Sequence, residues 1–320
     1  MDKFWVKTGA RLHLGQLDLN GSLGRLYGGL GLAIDRPQLE ITAEKSSKLS
    51  LIGSEEKRLE IISRKYLEYY DLPGVKIELV QSLPSHSGLG SGTQLSLALG
   101  FAITRVYGLQ PSLLEIAGVT DRESSRSGIG VAAFEQGGFL VDGGKPVNPI
   151  APKSVFDVPP ILARIPFPEE WAIILALPDK EDKMSGEKEE NAFQSLPPMA
   201  EEVSATICRL LVMKLLPGLM EKDLESFGQA LIEIQKQVGT YFAPVQGGYY
   251  ASDQGFRVAE YLLAQGATGV GQSSWGPAVY GFITREKQDG LLEKTQKFLG
   301  EKVRVWAVSG RNQGASWGWK

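Results

Sequence analysis

The stretch PSHSGLGSGTQ, Pro84 to Gln94, decides how the chain reads, because of what flanks it. Before it runs VKIELVQ (75–81), alternating and rich in β-formers. After it runs LSLALGFAITRVYG (95–108), which is apolar, too long for a strand and rich in helix formers. The predicted order is strand, glycine loop, buried helix. Gly88, Gly90 and Gly92 let the backbone turn sharply and approach a ligand without side-chain interference. Free N–H groups opening the helix would face that ligand, and an anion there gains roughly 0.3–1 kcal/mol, or about 2 when partly buried. The loop reads as a phosphate cradle, with a ligand-free glycine cap as the plain alternative.

Two other glycine loops are excluded. A Walker loop needs Lys after its last glycine, and Thr93 follows Gly92. The dinucleotide fingerprint needs a third glycine where Thr93 stands and an acid about 20 residues on, and the nearest candidate is Glu115.

The 320 residues suffice for two packed domains. A hydrophobic share of 42% and a charged share of 22% describe an ordinary globular protein. A net charge of −3 argues against non-specific nucleic-acid binding and leaves room for a small basic pocket. Cys208 is the only cysteine, which rules out an intrachain disulfide and a thiolate cluster; in ATICRLLVMKLL it reads as a buried, inert thiol. With His13 and His86 alone, a multi-histidine zinc site is excluded. The N-terminus lacks a cleavable apolar core and no apolar run nears 18 residues uninterrupted, so a cytoplasmic protein with no membrane partner is expected.

Along the chain, strands are predicted over 5–14 and 39–43, separated by a polar, glycine-rich turn through DLNGSLGRLYGG. Leu59, Ile62, Tyr66 and Tyr69 give helical spacing over 57–70. A short helix is predicted over 112–119 and a strand over 138–142. Prolines crowd 148–168, a density that disfavours ladders, so the junction between an N-terminal domain (1–165) and a C-terminal one (166–320) is placed there. Beyond it the pattern predicts strand 171–177, a charged loop DKEDKMSGEKEEN, and helices 200–216, 223–238 and 254–264. Strands 268–271 and 278–284, helix 286–299 and strand 302–308 follow. With the middle helices merged this is β-α-β-β-α-β, the ferredoxin-like order.

Four further stretches carry chemistry. In ARLHLG, alternation puts Arg11 and His13 on one side of a strand, with a phosphate-pairing guanidinium and a ring donor, or else a solvated face. Arg122 and Arg126 lie among Ser124, Ser125, Ser127 and Gly128, a phosphate-site composition that a solvated loop shares. Glu135 interrupts the uncharged AAFEQGG, as a carboxylate paired with arginine or holding a metal. Residues 269–277, GVGQSSWGP, form a second glycine loop in which Gln272, Ser273 and Ser274 offer neutral donors. Trp275 there is a flat apolar wall or a packing residue. The charge run SGEKEE (185–190) reads as solvated surface.

Together these stretches resemble the GHMP kinase superfamily over nearly the whole chain. PSHSGLGSGTQ is similar to its phosphate loop Pro-x-x-x-Gly-Leu-Gly-Ser-Ser, and 269–276 to its third motif. More narrowly, ARLHLGQLDLNG, GLGSGTQ, RSGIGVAAFEQGGFLVDGG, SGEKEE and GQSSWGPAVYG resemble the β-ribofuranosylaminobenzene 5'-phosphate synthase family. The resemblance implies an α+β fold of two domains, the first like ribosomal protein S5 domain 2 and the second ferredoxin-like. It implies an enzyme, a homodimer, that joins phosphoribosyl pyrophosphate (PRPP) to 4-aminobenzoate or 4-hydroxybenzoate with loss of carbon dioxide and pyrophosphate, in methanopterin biosynthesis.

Two departures from the kinase pattern favour the synthase. Gly92 replaces the second serine of the loop, and the run Ser127 to Val131 lacks the acid that many kinases use as base. A decarboxylating attack has no ring proton to remove, so charge stabilisation and alignment suffice. Under this reading Ser87, Gly88, Leu89, Gly90, Ser91, Gly92 and Thr93 hold pyrophosphate, and Arg11, Arg122 and Arg126 neutralise phosphates. Asp18 or Glu135 assists Mg²⁺, while His13 and Gln272 to Trp275 line the ring pocket. The alternatives are an ATP-dependent GHMP small-molecule kinase and a non-catalytic phosphate- or nucleotide-binding protein.

Overall fold

The structure, a computed structural model, describes residues 3–120, 127–148, 158–178, 195–300 and 303–320. Its first half is built on a long hairpin, β1 (Phe4–Asp18) and β2 (Arg25–Lys45), followed by β3 (Ser50–Ile52), helix α1 (Glu56–Tyr69) and β4 (Val75–Gln81). After the glycine loop come α2 (Ser91–Val106), α3 (Leu113–Val119), α4 (Ile129–Glu135), β5 (Phe139–Asp142), β6 (Lys145–Pro146) and β7 (Ile161–Ile165). The sheet runs β12-β1-β2-β4-β3, with β5 pairing the first half of β2 and β7 pairing β5; β12 (Ser316–Trp319) is the end of the chain, returned against β1.

Helix α2 crosses the middle of this layer. Leu95, Leu97, Ala98, Leu99, Ala102 and Ile103 are all buried, each larger side chain contributing about 1.5–3 kcal/mol by leaving water. Buried on nearly every side, α2 is a core helix, and its N-terminus is thereby fixed over β1.

The second half forms an antiparallel sheet ordered β11-β8-β10-β9, from β8 (Trp171–Leu177), β9 (Thr268–Gln272), β10 (Val279–Thr284) and β11 (Arg304–Val308). In chain order this is 4-1-3-2, with helices Glu201–Glu221, Leu224–Gln246 and Asp253–Ala264 between its first two strands and Gln288–Leu299 before the last. The expected ferredoxin-like order is therefore present. Every residue of β8 is buried, because helices cover both faces of the sheet. Phe227, Leu231 and Ile234 of helix Leu224–Gln246 join Phe139 of the first half and Phe282 of the second in one core. The two halves thus share their packing.

Several boundaries differ from expectation for physical reasons. Strand β2 starts at Arg25, where the glycines suggested a turn, because Gly29 and Gly31 face side chains that leave no space for a Cβ. Pro160 and Pro166 bracket β7 instead of interrupting it, and β7 lies on the open side of β5. The helix expected over 200–216 continues to Glu221 through a wider turn at Leu211–Leu215. Its 18-residue window has a mean hydropathy of 1.6, enough by composition to cross a bilayer, since one arginine and one lysine hardly dilute it. Here the helix packs Ile207, Leu211, Leu215 and Leu219 into the core.

Candidate active site

The two glycine loops meet on β1. Register slips between Gly9 and Arg11 and between His13 and Gly15 bracket Arg11 to His13, which pair in register with Ala33, Leu32 and Gly31 of β2. The Arg11 amide donates to the Leu89 carbonyl at 3.1 Å, and its Nη1 donates to the Gly88 carbonyl at 2.5 Å. Gly90 has φ 78°, and a Cβ there would stand 3.0 Å from Arg11 Cγ and 3.2 Å from Nε. The loop therefore lies flat against the arginine stem, a contact only glycine permits.

Gly90 is also the N-cap of α2, and no side chain caps that helix. The first amides of a helix have no intrahelical acceptor. Here they open beside Gly88, Gly90, Gly92 and Thr93, which are partly exposed, while Ser87, Leu89 and Ser91 are buried. Left-handed backbone at His86, Gly88 and Gly90 alternates with residues outside that region, the kind of alternation found in anion-binding nests.

The second loop is the back wall. Ser273 Oγ donates to the Gly88 carbonyl at 2.8 Å and accepts from the His13 amide at 3.0 Å. The Ser274 amide donates to the His13 carbonyl at 3.2 Å, and the Ala278 amide to the Ser87 carbonyl at 3.3 Å. Gly276 rests against the backbone of Ser87 and Gly88 with no room for a methyl group. The Gln272 side chain is engaged, accepting from the Ala251 amide and donating to the Ser274 carbonyl, both at 2.7 Å. The Trp275 ring meets Phe242 edge-on at 4.8 Å.

Two residues along β1 from Arg11, His13 is 8% exposed, and among the described residues neither ring nitrogen has a hydrogen-bond partner. Burial, reinforced by the Arg11 charge, lowers its pKa to about 3. The imidazole is neutral at physiological pH, so it offers one donor and one acceptor and no charge. Unfolding returns it to about 6.5. The unfolded chain takes up a proton as pH falls through that value, and the folded chain does not until about 3. Stability present above pH 6.5 is therefore lost across this window. Urea melts at pH 7, 5.5 and 4 should show wild type losing about 1.4 kcal/mol per pH unit more than His13→Gln. Parallel losses in the two proteins would refute a buried neutral ring.

A carboxylate that the sequence reading passed over lies next to this ring. Asp142 is fully buried at the end of β5. It accepts from Ser127 Oγ at 2.7 Å, the Gly128 amide at 3.1 Å and the Gly144 amide at 2.9 Å, and from the Gly29 amide. Burial pushes its pKa up and these donors oppose the shift. The usable signal was an acid closing the otherwise apolar strand Phe-Leu-Val-Asp.

The remaining expected residues divide. Arg122 and Arg126, like the run 185–190, lie outside the described residues. Asp18 stands at the other end of β1, where its Oδ1 accepts from the Asn20 amide at 2.7 Å, the Gly21 amide at 3.1 Å and Ser204 Oγ at 3.3 Å. Glu135 is exposed at the last position of α4, bonded to Gln136 Nε2 at 3.1 Å, and no arginine pairs with it among the described residues. Among the described residues no group of three or more His, Cys, Asp or Glu is placed to hold an ion. Asp18 and Glu135, expected as alternative aids to Mg²⁺, thus each stand outside any such group among the described residues.

Comparison with known proteins bears on the fold and the family. Residues 57–138 match the family model of the GHMP kinases N terminal domain. The mevalonate kinase of Methanococcus jannaschii superposes with a TM-score of 0.68 over 96% of this chain and 98% of its own, at 15% identity, which speaks for the fold alone. A beta-ribofuranosylphenol 5'-phosphate synthase of Archaeoglobus fulgidus is 37% identical over 97% of both chains. One of the same name from Methanothermobacter thermautotrophicus is 36% identical over 97% of both. With its GHMP fold and this near-complete overlap, the chain belongs to the beta-ribofuranosylphenol 5'-phosphate synthase family of enzymes.

Proposed function

We propose that the enzyme joins PRPP to 4-hydroxybenzoate, releasing carbon dioxide and pyrophosphate, as a step towards methanopterin. The choice between amino- and hydroxybenzoate, open on the sequence alone, follows the phenol in the relatives' name. In the reaction the bond from the ribose anomeric carbon to pyrophosphate breaks, and the ring carbon bearing the carboxylate bonds to that carbon. The carbon–carboxylate bond then breaks, and its electron pair restores the aromatic ring. No proton leaves the ring.

The observation that supports this most is the uncapped start of α2 lying on Arg11. Loop amides and a guanidinium are suited to a departing diphosphate, whose charge grows in the transition state. The ring nitrogens of His13, two residues along the strand, suit the neutral polar groups of the acceptor or of the ribose. Many kinases use a base open to a substrate alcohol. Among the described residues the one buried carboxylate nearby, Asp142, already accepts from four donors and is not available for that task.

The test mixes the protein and Mg²⁺ with PRPP and 4-hydroxybenzoate, or with ATP and homoserine or mevalonate. Equimolar carbon dioxide and pyrophosphate are expected from the first mixture, with no ADP from the second. ADP formation without decarboxylation would favour the kinase. Thermal stabilisation by PRPP without turnover would favour a sensor.

A further inference from the structure

We propose that Asp142 is a positioning residue that sets the working orientation of the His13 imidazole. This rests on the reading above, in which the Arg11–His13 strand carries the reacting groups. Gly29 of β2 is the meeting point. A Cβ on Gly29 would stand 2.7 Å from Asp142 Oδ2, 2.9 Å from Ser127 Oγ and 3.3 Å from His13 Nε2. Carboxylate, hydroxyl and imidazole thus converge over one bare Cα.

The Asp142 carboxylate gathers four donors from three separate pieces of chain. These are the Gly29 amide on β2, Ser127 Oγ and the Gly128 amide at the start of α4, and the Gly144 amide beyond β5. A buried carboxylate is costly unless its oxygens are satisfied, and here all the donors that satisfy it belong to the wall beside His13. Among the described residues the imidazole has no hydrogen bond of its own to hold it. Its orientation is therefore set by packing against this wall, in which the carboxylate adds side-chain bonds from β2, the start of α4 and the turn beyond β5 to the backbone ladder of β2 with β5.

The substitution Asp142→Asn is nearly isosteric but replaces one acceptor oxygen with an N–H₂ that faces donors. The wall then shifts or rotates, and the ring moves with it. The phosphate loop bonds to Arg11 and Ser273, not to Asp142, and stays in place.

With only two histidines in the chain, the ring is readable without turnover. Imidazole ¹⁵N spectra at pH 7, assigned with His86→Gln, should show the His13 nitrogens displaced in Asp142→Asn and those of His86 unmoved. Pyrophosphate affinity, by calorimetry, should stay within about threefold, while kcat for carbon dioxide release falls at least 30-fold. A purely structural role would instead lower the folded fraction and leave kcat per folded enzyme unchanged. Unmoved His13 resonances with unchanged kcat would overturn the assignment. Should Asp142→Asn fail to fold, Ser127→Ala removes a single donor and should move the same resonances, with a kcat loss of three- to tenfold. Wild-type enzyme inactive on PRPP and 4-hydroxybenzoate would sink the substrate reading alone, and the spectra would still decide what Asp142 does.

Discussion

Arg11→Ala is expected to lower kcat/KM for pyrophosphate release by about 10³-fold, the scale seen when a preorganised donor to a developing charge is removed. The guanidinium has two tasks. It donates to the Gly88 carbonyl, holding the loop on β1, and it brings a positive charge beside the uncapped amides of α2. Charge-assisted bonds of this kind are each worth about 1.5–3 kcal/mol. Arg11→Lys separates the tasks, since it keeps the charge and loses the planar fork, and an intermediate loss is expected. Pyrophosphate titrations on both variants provide the check. An Arg11→Ala protein that binds pyrophosphate as tightly as wild type would remove arginine from the cradle. The fold should persist, because Arg11 is only half-buried and the backbone bond from its amide to Leu89 does not depend on the side chain.

How much of this was legible in advance depended on whether a residue's role is local. The strand, loop and helix around Gly90 were readable because each is set by its own composition, and so was the short helix opened by Ser112, whose Oγ accepts from the Glu115 amide. β8 announced itself as an uninterrupted apolar run. β2 did not, because Gly29 and Gly31 imitate a turn while answering to the side chains of Ser127, Ile129 and Asp142, far along the chain. β12 is four residues long and takes its partner, β1, from the other end of the chain. No local pattern foretells that pairing. The site divided in the same way. Arg11 and His13 stand together through strand alternation, whereas Asp142 acquires its meaning from donors on β2 and α4. Glu135 attracted attention as a charge in an apolar run, yet a seven-residue helix simply turns its last position to solvent.

Gly276→Ala is the second large effect, and it acts without touching any charged group. A methyl group on Gly276 would fall inside the envelope of the Gly88 nitrogen and the Ser87 carbonyl, which are backbone atoms with no rotamer to escape by. One of the two glycine loops must then move by something on the order of 1 Å, a misplacement worth about 10²-fold in rate when reactants are aligned by it. The Ser273–Gly88 and Ser273–His13 bonds stretch with it, so KM for PRPP should rise along with the fall in kcat. Gly290→Ala is the matched control. That glycine sits in helix Gln288–Leu299 with nothing near its Cβ position, and alanine there should stabilise by up to about 1 kcal/mol while leaving catalysis alone. Equal activity in the two variants would mean that the loops do not rely on their mutual contact, and that the third motif is a neighbour of the phosphate cradle and not its support.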